Sequence, residues 1–219
     1  MDNVVKRQTK DLLKKRDFDS ILASCEQNRH VWKEVRFSLY DMDDSVRWAA
    51  IETTGRYMKR WWNEKREDKI RQYIRTLFWS MTDESGGIGW SAPQTIAEII
   101  ANIPELIDPY GSMMIAYSIE EPPLAKGGLW GMGRLGRRIA ASMDFFRDKV
   151  LAVFRSNDAE TLGLAAWAMG ETVFEPARPF LEKLVARDEP VQIYRDGSFA
   201  EKPLGQWARN AIARLEGAE

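Results

Sequence analysis

The sequence predicts an all-α fold, a solenoid of stacked helix pairs preceded by a helical cap. Three observations predict it. Apolar residues recur at three- and four-residue spacing, a ten-residue pattern returns five times, and turn residues separate the copies. The returning pattern is an apolar residue, two variable positions, two mostly small residues and, further on, an apolar residue followed by a small one. Its copies are Val46–Gly55, Ile88–Ala97, Leu124–Gly133, Thr161–Gly170 and Leu204–Ala213, with starts 42, 36, 37 and 43 residues apart.

Residues 1–30 read as an N-terminal cap of one or two helices, rich in Lys and Arg outside. Repeats then fill 31–219, the whole chain forming one domain. An amphipathic helix precedes each copy: Val31–Tyr40, Lys69–Met81, Leu106–Ile119, Phe145–Phe154 and Ala177–Ala186. In the second of these, Ile70, Tyr73, Ile74, Leu77 and Phe78 keep the helical spacing. The connections Asp41 to Ser45, Asp83 to Gly87, Glu120 to Pro123 and Ser156 to Asp158 carry turn and cap residues, whose oxygens accept from orphan N–H groups of the next helix. Pro93 fits only a first helical turn, so the second copy's helix should start near Ser91, after a loop from Glu84 to Trp90. Val191 to Lys202 lacks periodicity and reads as an inserted loop near 191–202. No strand is expected anywhere.

The Asp44-Ser-Val-Arg-Trp-Ala-Ala50 start resembles the HEAT repeat family, including the shorter repeats of phycobilin-lyase-like proteins. The resemblance covers nearly the whole chain after Val31. It implies a right-handed α-solenoid of about five HEAT-like helix pairs, with the second helix of each pair lining the concave side. It says almost nothing about function, because such repeats host scaffolds, lyases and nucleic-acid enzymes alike.

Composition excludes several classes. The 32 basic and 33 acidic side chains leave a net charge of −1, no field to draw in nucleic acid or an acidic membrane. The one cysteine, Cys25, forms no internal disulfide and points to a reducing, cytoplasmic setting. With one histidine, His30, the usual zinc ligand sets cannot be assembled. No apolar run is long enough to span a membrane. No cofactor and no catalytic residue is expected: the conventional nucleophile dyads and phosphate loops are missing, and the Gly86-Gly-Ile-Gly89 stretch matches neither a Walker nor a dinucleotide motif.

The nine tryptophans need an explanation. Numbering each copy from zero, positions 0, 3, 4 and 7 make the core face at roughly 100° per residue. Positions 2 and 6 fall opposite, one turn apart. Trp48 and Trp90 occupy position 2, and Trp130 and Trp167 position 6. The expectation is a tryptophan row along one groove, either open for a ligand or packed by its own crowding. Position 10 gives a second row of alternating sign: Arg56, Glu98, Arg134, Glu171 and Arg214. It either pairs neighbouring helices or holds a charged ligand. Lys126, Trp130 and Arg134 form one stripe at i, i+4 and i+8, and Gly131 and Gly133 beside it suggest room for a ligand.

The expected binding residues of the concave groove are therefore Trp48, Trp90, Glu98, Lys126, Trp130, Arg134, Trp167 and Glu171, with no metal ligand among them. The expected function is a scaffold or adaptor holding a protein or peptide partner, more than an enzyme. Two alternatives remain open: a HEAT-like glycosylase of the DNA-alkylation-repair kind, and a lyase-like handler of a planar cofactor such as a tetrapyrrole. Nucleic acid is not an expected partner, and nothing in the sequence sets the oligomeric state.

Overall fold

The computed structural model describes residues 2–82 and 89–217. The chain is mostly helical. It opens with α1 (Asp2–Lys15) and α2 (Phe18–Gln27), then forms α3 (Arg29–Ser38) and α4 (Asp44–Asn63), α5 (Glu67–Met81) and α6 (Ala92–Asn102), and α7 (Ile107–Ser118) and α8 (Pro122–Leu135). A short α9 (Ala140–Phe145) precedes α10 (Arg147–Ala152) and α11 (Ala159–Thr172), and α12 (Arg178–Leu184) and α13 (Leu204–Glu216) close the chain. The first, third, fourth and fifth copies of the sequence pattern lie on the second helix of a pair, and of the second copy Ala92–Ala97 lie on α6.

Those second helices stack in chain order. α4 packs on α6, α6 on α8, α8 on α11, and α11 on α13. The caps behave as their residues dictate. Asp43 accepts from the Ser45 N–H at the start of α4, and Asp158 from the Thr161 N–H at the start of α11. Pro93 sits in the first turn of α6. Of the Glu84–Trp90 loop only Gly89 and Trp90 are described; the rest, like the Asp83–Gly87 connection, lies outside the described residues. One apolar core runs through the stack, from Leu13 of α1 to Leu215 of α13. Cys25 belongs to it. Burial, then the charge of Glu26, pushes its thiol up to about 12, which makes it an inert core residue.

The inserted stretch is not a loop. It is an antiparallel hairpin of β1 (Pro190–Arg195) and β2 (Ser198–Pro203), with Val191 opposite Lys202 and Tyr194 opposite Phe199. Asp196 and Gly197 both take positive φ, 49° and 87°, as a two-residue hairpin turn requires. Val191, Ile193 and Tyr194 are buried, and the Trp207 indole donates to the Val191 carbonyl at 3.1 Å. The hairpin is held by the helices rather than by its two strands alone.

The glycines of α8 make room for neighbours. A Cβ on Gly131 would lie 2.7 Å from Met114 Sδ, and one on Gly133 2.5 Å from Cζ3 of the Trp167 ring. Close helix packing therefore explains both, correcting the expectation that they leave ligand space by themselves. Each glycine costs helix stability of about 0.8–1.0 kcal/mol relative to alanine, and the packing it permits outweighs that.

Gly133→Ala should lower stability by about 1–2 kcal/mol, because overpacking against a buried indole exceeds the gain in helix propensity. Urea denaturation measures it; an increase in stability would contradict the packing account.

Candidate functional site

The second helices and the hairpin border an open cavity of about 420 Å³. α4 contributes Glu52 and Arg56, α6 Glu98 and Asn102, α8 Trp130, Gly133 and Arg134, and α11 Trp167 and Glu171. Arg16 follows α1, and the hairpin adds Tyr194, Arg195, Asp196 and Gly197. An adjoining cavity of about 280 Å³ shares Trp167, Glu171 and Arg195 and extends to Lys202, Trp207 and Arg214.

The cavity's charged row is position 10 of the repeats. One helical position, repeated on stacked helices, necessarily makes a line, and four of its five members border the larger cavity. Glu98 is buried, and its carboxylate accepts from Arg134 Nε at 2.6 Å and Nη2 at 3.1 Å. The Asn102 amide adds a third donor at 3.0 Å. Burying a carboxylate is costly unless it is paired and hydrogen-bonded, and Arg134 supplies both at once. The same pairing holds the guanidinium above its ordinary range. Glu171 takes Trp167 Nε1 at 2.8 Å and Arg214 Nη1 at 2.5 Å. The row thus pairs across α6–α8 and across α11–α13. Arg56 instead lies 4.0 Å from Glu52 on its own helix.

Three of the four expected tryptophans come together. The Trp48 and Trp130 ring centroids are 4.7 Å apart, and those of Trp130 and Trp167 6.5 Å. All three are buried, with Trp130 and Trp167 walling the cavity. Trp90 is elsewhere, beside Tyr40 at 6.2 Å and beneath the Arg47 guanidinium at 4.9 Å. It precedes α6, so the helical phase that places position 2 in the other copies does not apply to it. Lys126 is likewise outside the cavity lining. It pairs with Asp158 at 3.0 Å and with Glu160 at 2.5 Å, tying α8 to the start of α11.

The residue that closes the site is Tyr194, which periodicity does not reveal. Its ring stacks on Trp48 with centroids 4.3 Å apart and planes 10° from parallel. Its carbonyl accepts from Trp130 Nε1 at 2.7 Å. Its hydroxyl donates to Glu52 at 2.5 Å and accepts from Arg16 Nη1 at 2.5 Å. Arg16 in turn grips Glu52 through Nη2 at 3.0 and 2.9 Å. Burial, then the neighbouring Glu52 carboxylate, raises the Tyr194 phenol above its ordinary range. The tryptophan row is thus self-packed at Trp48 and cavity wall at Trp130 and Trp167. Glu52 is legible in one respect: it holds position 6, the place of Trp130 and Trp167 in later copies. Arg16 carries no such mark.

Comparison with known proteins places the fold. No protein-family model matches the chain. An uncharacterised protein of Archaeoglobus fulgidus is 28% identical over 168 residues, which span 73% of this chain and 83% of the relative. A designed armadillo repeat protein has a similar structure, with a TM-score of 0.55 and 15% identity, over 96% of this chain and 92% of that one. At that identity the likeness concerns the fold alone: a mostly helical chain similar to a helical-repeat solenoid. Among the described residues no helix is long and apolar enough to cross a membrane.

Tyr194→Phe removes a buried hydroxyl bonded to two charged groups and should cost about 1.5–3 kcal/mol at neutral pH. A raised phenol favours the folded state while protonated. Its contribution is complete below about pH 10 and is lost as pH climbs from there towards the folded-state value. Denaturation of both proteins between pH 8 and 11 should show their difference shrinking; a difference that stays flat would contradict the buried network.

Proposed function

We propose that the protein is a binding scaffold: a right-handed α-solenoid of about five HEAT-like helix pairs that holds a protein or peptide partner in its concave groove. The observation that carries this reading is the cavity itself, a recess on the stacked second helices walled by Trp130 and Trp167 and lined by the position-10 charges. Solenoids present extended inner surfaces of this kind. Tryptophan and arginine are also the residue types that concentrate binding energy at interfaces. Of the expected binding residues, Glu98, Trp130, Arg134, Trp167 and Glu171 belong to this proposed surface. Trp48 serves as the hairpin's seat.

The geometry gives less support to the DNA-repair alternative. Tyr194 of the hairpin stacks over Trp48, so that ring is not presented for stacking against an extruded base. The larger cavity's four arginines are interspersed with four carboxylates, so they form no bare basic stripe.

Selection from a random displayed-peptide library against the full chain tests the reading. Selected peptides should bind with a Kd on the order of 1 µM, about −8 kcal/mol. In hydrogen exchange they should protect the hairpin and the facing turns of α8 and α11. Protection confined to the outer helices α5 and α7, or salt-sensitive binding of duplex DNA with no enriched peptide, would overturn it.

A further inference from the structure

We propose that the cavity is a receptor for a carboxylate group presented by an acidic peptide segment. This rests on the scaffold reading and names the chemistry of its ligand. The unspent hydrogen-bonding capacity of the cavity lies on its cations. Glu52 already accepts two bonds from Arg16 and one from Tyr194. Glu98 accepts two from Arg134 and one from Asn102. Glu171 accepts from Trp167 and Arg214. Asp196, the fourth carboxylate, is exposed to solvent. The other three are therefore spoken for.

The guanidinium groups are not. Each carries five N–H donors and no acceptor. Arg56 makes no hydrogen bond among the described residues, its nearest carboxylate oxygen being 4.0 Å away. Arg195 reaches Asp196 only at 3.4 Å and Glu171 at 3.9 Å. Arg134 spends Nε and Nη2 on Glu98 and keeps Nη1. Arg56 is also held in place: its guanidinium lies 4.4 Å from the Phe18 ring centroid, and that of Arg16 5.0 Å from the same centroid. These two cations share one carboxylate, Glu52, so the site is short of an anion there. A ring that orients a guanidinium by its face leaves the edge donors free, and those edges match a carboxylate bidentately.

The larger cavity alone is balanced, four arginines to four carboxylates, and the excess of cation comes from the adjoining one. Arg16, Arg56, Arg134, Arg195, Lys202 and Arg214 line the two joined cavities against Glu52, Glu98, Glu171 and Asp196. The volume of about 420 Å³ lies within the range of ligand sites, roughly 300–1,000 Å³. Trp130 and Trp167 offer apolar wall to the stem of an acidic side chain while Arg56 and Arg195 take its head. A basic peptide would meet Glu52, Glu98 and Glu171 already engaged, leaving only the solvent-exposed Asp196 to receive it.

The test is calorimetric titration of the full chain with an acetylated, amidated hexapeptide of alternating Asp and Glu. The comparison ligands are its Asn/Gln counterpart, its Lys/Arg counterpart and succinate. The acidic peptide should bind, and the Asn/Gln and Lys/Arg peptides should not. Arg56→Gln and Arg195→Gln should each weaken binding by about tenfold or more with the melting temperature unchanged, since both side chains lie at the cavity rather than in the core. Binding of the neutral or basic peptide as tightly as the acidic one would overturn the carboxylate assignment and leave the scaffold reading standing. Binding of succinate that is lost in Arg56→Gln, without binding of any peptide, would keep the carboxylate site and remove the peptide scaffold. The absence of heat with every ligand would overturn the carboxylate site, while the scaffold reading stands or falls on the displayed-peptide selection.

Discussion

Tyr194 ties the hairpin to three other segments of the chain at one point. Its ring lies on Trp48 of α4, its carbonyl takes the indole N–H of Trp130 on α8, and its hydroxyl bridges Arg16 after α1 and Glu52 on α4. A two-stranded ribbon has little stability of its own. Docked this way, it becomes the roof of the groove. Without the roof, Trp48 and Trp130 would form an exposed apolar strip, and the cavity would lose the lining that Tyr194, Arg195, Asp196 and Gly197 provide.

The floor beneath that roof depends on how closely the second helices approach. Gly133 lets the Trp167 ring lie against α8, which brings Trp167 to the cavity wall. Gly170 does the same between α11 and α13, where an added Cβ would fall 2.7 Å from the Ala211 backbone. Close stacking also sets the spacing of the position-10 charges, so that Glu98 meets Arg134 and Glu171 meets Arg214. These pairs are unequal in kind. Glu98 is buried and needs its partner, because an unpaired charge there would be strongly destabilising. Arg214 is nearly half exposed, and its pairing with Glu171 is screened by solvent. The row fixes register at one end and is more open to exchange of partners at the other.

Much of this is legible in the residues alone. The helix pairs follow from apolar periodicity and from Asp43 and Asp158 as caps, because these are local effects with a strong sequence signature. The position-10 row is readable for the same reason: a fixed helical phase repeated on stacked helices must form a line. The failures have physical causes too. Helical phasing misplaces Trp90, because Pro93 moves the start of α6 beyond it. Spacing alone puts Lys126 on the groove, whereas its ammonium is drawn to two acids at the start of α11. The hairpin escapes a periodic reading despite Asp196-Gly197, the dipeptide suited to two positive φ angles, because only Val191 and Ile193 alternate cleanly. Arg16 and Tyr194 meet across 178 residues of sequence, and no local pattern reports such a contact.

The central claim is that ligand enters the groove between the hairpin and the second helices. The indole N–H resonances of the nine tryptophans report on it directly. On titration with the acidic hexapeptide, the Trp130 and Trp167 signals should shift while those of Trp61, Trp62 and the exposed Trp79 stay in place. Shifts confined to Trp79, with Trp130 and Trp167 unmoved, would contradict it.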